Sequence, residues 1–171
     1  MPLRSLRHST VIHRSIIVPS PPASLVAVAD LVVTGAVRDV NTLRADQERG
    51  LYTEYTIDVQ SVEFQRGDSA VEPGVQLSVA RMGGGFRQGG GEVVVLRYAE
   101  QGFLHQGGKY LLLLKTDSGA NDILTAFAIA NRRLHPVDSI VLAAPNLPLK
   151  AYDGMTVSEF MANAAAAEQG R

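Results

Sequence analysis

The sequence has no cysteine, no tryptophan and no excess of charge of either sign. Without cysteine, the chain cannot form disulfide scaffolds, thiolate zinc sites, iron-sulfur clusters or a cysteine nucleophile. With 16 basic and 17 acidic side chains, the formal net charge of -1 gives no positive field that would attract a phosphate backbone or an anionic membrane. We therefore expect no general nucleic-acid binding.

Long apolar runs are also missing. Apolar runs such as 93–96 and 111–114 have the length of a strand, whereas a membrane helix needs roughly 20 apolar residues. We expect a soluble chain with no transmembrane segment.

The N-terminal end is basic, with no acidic residue before Asp30, and we interpret residues 1–19 as a disordered arm. A secretory signal requires roughly 7 to 15 uninterrupted apolar residues. Here His13 and Arg14 interrupt the stretch 10–18, so the sequence does not predict a signal peptide.

The rest of the chain, 20–171, fits a single domain, because 46% of the residues are hydrophobic and can fill one core. The prolines that follow Ser20 predict a short N-terminal helix over about 23–29. Apolar alternation and β-branched residues predict strands at 30–40, 51–64, 75–79, 92–98, 109–116 and 124–130, with a short last strand at 139–143.

The long second strand changes its alternation partway along. Its apolar side chains occupy odd positions as far as Val59 and even positions at Val62 and Phe64. A regular strand cannot change faces, so we predict a β-bulge at Gln60 and Ser61 that bends the strand. With this bulge, all of these apolar side chains face the core.

Near the C-terminus the apolar spacing becomes helical. Thr156 and Glu159 match a capping box, and Val157, Phe160 and Met161 share one face. We predict a helix over about 157–168 that closes one end of a barrel formed by these strands. The fold class is then mainly β, a small antiparallel barrel with a short N-terminal helix and a C-terminal helix.

Four segments carry a resemblance to a known group of proteins. They are the alanine-aspartate strand at 29–37, the segment 52–56, the turn 66–68 and the leucine strand 108–114. Together they resemble uncharacterised, mostly exported bacterial proteins with an OB-like β-barrel, which is similar to the netrin-like module and the tissue inhibitors of metalloproteinases. The resemblance covers about residues 23–165. It implies an OB-like fold and an extracytoplasmic location, and it supplies no catalytic residue.

The glycine-rich run 83–91 invites comparison with phosphate-binding loops, whose backbone amides hold anions. No Gly-x-Gly-x-x-Gly pattern can be found there, and the next element is a strand where such sites use a helix N-terminus. We expect a mobile connection between two strands.

The four histidines do not predict a metal site. A zinc site needs three or four converging ligands. His8 and His13 lie in the basic arm, and His105 and His135 fall in segments that we interpret as exposed loops.

Catalytic patterns are likewise missing from the sequence. There is no Gly-x-Ser-x-Gly nucleophile elbow. Glu54 and Asp58 lie on the polar face of the long strand, where acids are ordinarily solvated. Arg66, Gly67 and Asp68 match a short integrin-binding motif, but turn chemistry explains them equally well.

OB barrels often bind single-stranded nucleic acid with stacked aromatics and a basic groove. The outward positions that we assign to the long strand are neutral or acidic: Thr53, Glu54, Thr56, Asp58 and Gln60. We therefore expect a non-enzymatic binding or structural module without cofactor or metal, whose ligand is a protein or a component of the cell envelope. The alternatives are a single-stranded nucleic-acid binder and a netrin-like protease inhibitor. For protease inhibition, this chain lacks the cysteine with which the tissue inhibitors chelate the zinc of the protease.

Overall fold

The computed structural model describes residues 25–44, 51–67, 70–87, 91, 93–96, 98, 100–117, 119–139 and 149–169. The predicted arm, 1–19, and the proline-containing segment, 20–24, lie outside these residues. The chain is mainly β, as the sequence predicts. The elements in chain order are α1 (Leu25–Val28), β1 (Leu31–Arg44), β2 (Leu51–Gln65), β3 (Gln76–Met82), β4 (Gly84–Arg87), β5 (Val93–Leu96), β6 (Lys109–Asp117), β7 (Ala120–Ala130), β8 (Arg133–Pro136), a 3-10 helix (Leu149–Tyr152) and α2 (Val157–Gln169).

Six strands form one sheet in the order β3-β2-β1-β6-β7-β8, and neighbours in this order are antiparallel. β3 also pairs in parallel with β7, at Ala80 and Asp122. Because of this pairing the sheet curls into a ring of five strands, and β8 attaches to β7 outside the ring. β4 and β5 form a separate two-stranded sheet.

The bulge predicted in β2 is confirmed, and a second one follows it. Gly35 of β1 pairs with Val59 and the preceding Thr34 with Ser61, so Gln60 is the extra residue. A second register shift leaves Glu63 without an opposing residue in β1. As a result Val62 packs inside the ring, as expected, whereas Phe64 packs on the outer face, against the prediction that both share one core face.

The sheet separates two apolar clusters. The inner cluster fills the ring and includes Leu112 and Leu114, while the outer cluster lies under the helices and includes Leu111 and Leu113. Both faces of β6 are therefore buried, which explains its unbroken run of leucines. Tyr55 and Ile57, on the inner face of β2, and Phe160, in the outer cluster, are all fully buried.

The last strand differs from the prediction. The predicted strand at 139–143 falls mostly outside the described residues, and the strand that follows β7 is β8. Ala130 pairs with Arg133, so only two residues connect β7 to β8. Those residues, Asn131 and Arg132, both have positive φ angles (51° and 63°), as two-residue hairpin turns require. Arginine is an unusual choice for this conformation, and the turn was therefore missed.

The C-terminal helix forms with the predicted cap. The N–H of Thr156 donates to a Glu159 carboxylate oxygen (2.7 Å), and the N–H of Glu159 donates to the Thr156 hydroxyl (3.2 Å). The Phe160 ring packs against Phe127 and Tyr152, with centroids 5.3 and 5.0 Å away. In the part of the chain that is described, no helix is long and apolar enough to cross a membrane.

Candidate functional site

The β4–β5 hairpin is anchored to the ring by a glycine. Gly84 is buried, and a Cβ built there would lie 2.6 Å from Thr53 Oγ1 and 2.7 Å from Thr42 Cγ2. The Thr53 hydroxyl also donates to the Gly83 carbonyl (2.8 Å). Only a residue without a side chain allows β4 to approach the β1–β2 ribbon this closely. Within the glycine-rich run, residues 84–87 thus form a strand, and Gly84 packs against β1 and β2. This corrects the expectation of a mobile connection throughout the run.

The opposite side of the hairpin faces solvent. Gly85 pairs with Val95, Arg87 pairs with Val93, and all four residues are exposed. We call this set the hairpin face. Val93 and Val95 are each 56% exposed, more than any other large hydrophobic residue in the described ranges, whereas Val94 between them is partly buried. The hairpin face therefore offers an apolar surface with a single charged side chain.

The outer edge of β5 is open among the residues described. β5 pairs with β4 on one side, and no described strand pairs with the other. Three of its four residues are valine, the β-branched type that suits strands best. An open, apolar strand edge is a template for pairing with another chain.

A buried ion pair lies on the inside of the ring. Arg81 of β3 donates from Nη1 and Nη2 to the two carboxylate oxygens of Asp138, each at 2.8 Å. The backbone N–H groups of Gly102 (2.9 Å) and Ala126 (3.0 Å) and the Thr125 hydroxyl (3.1 Å) also donate to this carboxylate. Arg81 in turn donates to the Gly102 carbonyl (2.6 Å). The Asp138 carboxylate is thus held entirely by protein donors, whereas the buried Nε of Arg81 has no hydrogen-bond partner among the described residues. We assign the network a structural role.

Tyr55 lies close to this network without joining it by a hydrogen bond. The ring is fully buried, and its burial raises the pKa of the phenol. The hydroxyl remains neutral at physiological pH, and the buried side chain presents no aromatic face for stacking on a base.

A shallow cleft of about 420 Å³ lies beside β8 and is lined by His135, Ser139, Lys150 and Asp153, among others. His135 Nδ1 lies 2.8 Å from an Asp153 carboxylate oxygen, an arrangement that orients histidines in nucleophilic enzymes. However, His135 and Asp153 are about half exposed, and within the described ranges no hydrogen bond joins Ser139 to His135. Among the described residues, the cleft thus pairs a histidine with a carboxylate, and no hydroxyl is hydrogen-bonded to the histidine.

The remaining sequence candidates are dispersed. His135 belongs to β8, which corrects its assignment to a loop, while His105 is an exposed loop residue. His8 and His13 lie outside the described residues. No group of three or more His, Cys, Asp or Glu side chains is placed to hold a metal within the described ranges.

The acidic candidates of β2 are engaged in surface contacts. Glu54 accepts a hydrogen bond from the Ser78 hydroxyl (2.6 Å), and Asp58 pairs with Arg38 (3.6 Å). Thr53, which we expected to face outward, is buried, because its odd position places it on the inner face with Tyr55. In the Arg66–Gly67–Asp68 turn, Arg66 stacks on Phe64 and Asp68 lies outside the description.

Sequence reasoning missed the hairpin face. Within the predicted strand 92–98, residues 93–96 are apolar at consecutive positions, so they give no alternation from which an exposed face could be recognised. The one signal that this strand lies away from the core is the glycine-rich run 83–91 that precedes it. Compared with known proteins, the chain matches no family model and no curated protein.

Proposed function

We propose that the chain is a non-enzymatic protein-binding module on an OB-like β-barrel, and that it holds an extended segment of its partner against β5. The observation that carries this proposal is the pair Val93 and Val95, each 56% exposed on a strand with an open edge. In monomeric proteins, an apolar edge strand is usually covered by another element or carries charged side chains.

The strand pairings support the OB-like part of the proposal. Around the ring the order is β1, β2, β3, β7, β6, and the parallel contact between β3 and β7 brings its ends together. The bulges at Gln60 and Glu63 bend β2 as a small barrel requires.

Strand addition explains how such a surface binds. The backbone groups at the open edge of β5 pair with those of the incoming strand, which gives affinity for any extended peptide. Side chains of the incoming strand then lie beside Val93 and Val95, which favours apolar residues at alternate positions. Arg87 on the same face favours an acidic residue nearby.

Single-stranded nucleic-acid binding and netrin-like protease inhibition remain the alternative predictions, and no described feature favours either. Tyr55 is buried, and the outer face of β2 carries Glu54 and Asp58. A stacking platform would need exposed aromatics beside basic side chains.

The test uses a displayed library of eight-residue peptides selected on the full chain. Peptides that alternate apolar residues and carry an acid should be enriched. Their affinity should fall at least about tenfold in the double variant Val93→Thr, Val95→Thr, which keeps β-branched side chains but removes the apolar surface. The control is Val75→Thr, at an exposed valine outside the hairpin. Equal binding by wild type and the double variant would contradict the proposal.

A further inference from the structure

We infer that a second copy of this chain is a partner of the β5 edge, and that two hairpins join through β5 into one four-stranded antiparallel sheet. The inference rests on the proposed function, because it uses the same open edge. It goes further by naming the occupant and the register.

The register follows from symmetry. A two-fold axis that relates adjacent antiparallel strands stands perpendicular to the sheet, so each residue pairs with one that points to the same face. Residues of equal parity must then lie opposite each other. With the axis at Val94, Val93 of each copy faces the partner's Val95. Val93 and Val95 of both copies then lie next to one another on the same face of the four-stranded sheet.

The charges of the hairpin face agree with this register. Within each copy, Arg87 is the neighbour of Val93, and Gly85 is the neighbour of Val95. Each row across the four strands would read Arg87, Val93, the partner's Val95 and the partner's Gly85. The two Arg87 side chains thus occupy different rows, and their strands are roughly 14 Å apart. The pairing opposes no like charges.

The rest of the molecule does not oppose self-association. The formal net charge of -1 leaves little repulsion between two copies. The shared strand has only four residues, so the buried area is well below that of a permanent dimer. We expect a reversible dimer with a Kd on the order of 100 μM.

The experiment is sedimentation equilibrium of the full chain from about 10 μM to about 1 mM, which brackets this Kd. Wild type should dimerise reversibly, and the double variant Val93→Thr, Val95→Thr should weaken the dimer at least about tenfold. Val75→Thr should leave it unchanged. A dimer that persists equally in the double variant would overturn the inference, because its interface would lie elsewhere.

A charge pair tests the register itself. Val93→Lys and Val95→Glu should each weaken self-association, because a lone charge then faces a valine. A mixture of the two variants should recover dimers, because the introduced lysine of one copy faces the introduced glutamate of the other. No recovery would overturn the register. A wild type that stays monomeric but still binds the selected peptides at β5 would overturn this inference and leave the proposed function standing; loss of both would remove both.

Discussion

Arg81 and Asp138 form a two-pronged ion pair inside the ring, with both N–O distances at 2.8 Å. Arg81 lies on β3, and Asp138 lies in the segment that follows β8. The pair therefore connects β3 of the ring to the segment after β8. Their side chains are 2% and 0% exposed. Charges buried this deeply are tolerated when they are paired and hydrogen-bonded, and in this pair Arg81 Nε alone has no hydrogen-bond partner within the described ranges.

Arg81→Met should therefore destabilise the protein by about 3 to 5 kcal/mol, since it leaves the Asp138 carboxylate buried without its cation. Urea unfolding followed by circular dichroism measures the change. The control is Arg38→Met, which removes an exposed pair with Asp58 and should cost at most about 1 kcal/mol. A loss of less than about 1 kcal/mol for Arg81→Met would show that the pair is not buried in solution.

Gly84→Ala should loosen the hairpin. The new methyl group would meet Thr53 and Thr42 at 2.6 and 2.7 Å, and the φ angle of +144° is unfavourable for alanine. We expect a loss of about 1 to 3 kcal/mol and faster amide exchange in β4 and β5. Gly85→Ala is the matched control, because its methyl group would lie at an ordinary 3.5 Å from Val95. Equal behaviour of the two variants would mean that β4 does not rest on the ribbon.

Phe160→Ala should cost about 3 to 5 kcal/mol, because the ring is fully buried between Phe127 and Tyr152. Thermal and urea unfolding report the loss. Ser158→Ala, at an exposed position of the same helix, should change stability by no more than about 0.5 kcal/mol. If Phe160→Ala behaved like Ser158→Ala, α2 would not be docked on the sheet.

Asp30 predicts a pH dependence of stability. Partial burial raises the pKa of this carboxyl, but hydrogen bonds from Lys115 and the Thr116 N–H outweigh it, and the pKa lies below its ordinary value. A lowered folded pKa contributes stability that is fully present above the unfolded value of about 3.9 and is lost as the pH falls through the folded pKa.

The check is the difference in unfolding free energy between wild type and Asp30→Asn at several pH values. It should be constant from neutral pH to about pH 5 and should shrink below about pH 4. A difference that grew on acidification would have the wrong sign and would contradict the assigned contacts.

Local pattern predicted much of the ring. The parity change in β2 located the Gln60 bulge. The capping box located the start of α2. In each case the residues that determine the feature lie within a few positions of it, so the feature can be predicted from the local sequence.

Features that depend on distant partners were missed. Arg81 continues the odd-numbered inward series of Leu77 and Val79, which was a usable signal, but its partner Asp138 lies 57 residues away. The second bulge at Glu63 follows from how β2 pairs with β1, and alternation alone could not separate it from the first. The exposed face of β5 depends on where Gly84 anchors the hairpin, which no local pattern encodes.

Amide hydrogen exchange of the full chain, with and without a saturating selected peptide, tests the binding account most directly. The amides of β5 should exchange more slowly when the peptide is bound, because a strand added at the open edge pairs with them. The amides of β8, beside the His135 cleft, should not change. Protection at β8 with none at β5 would contradict the account, because the partner would then bind away from the hairpin face.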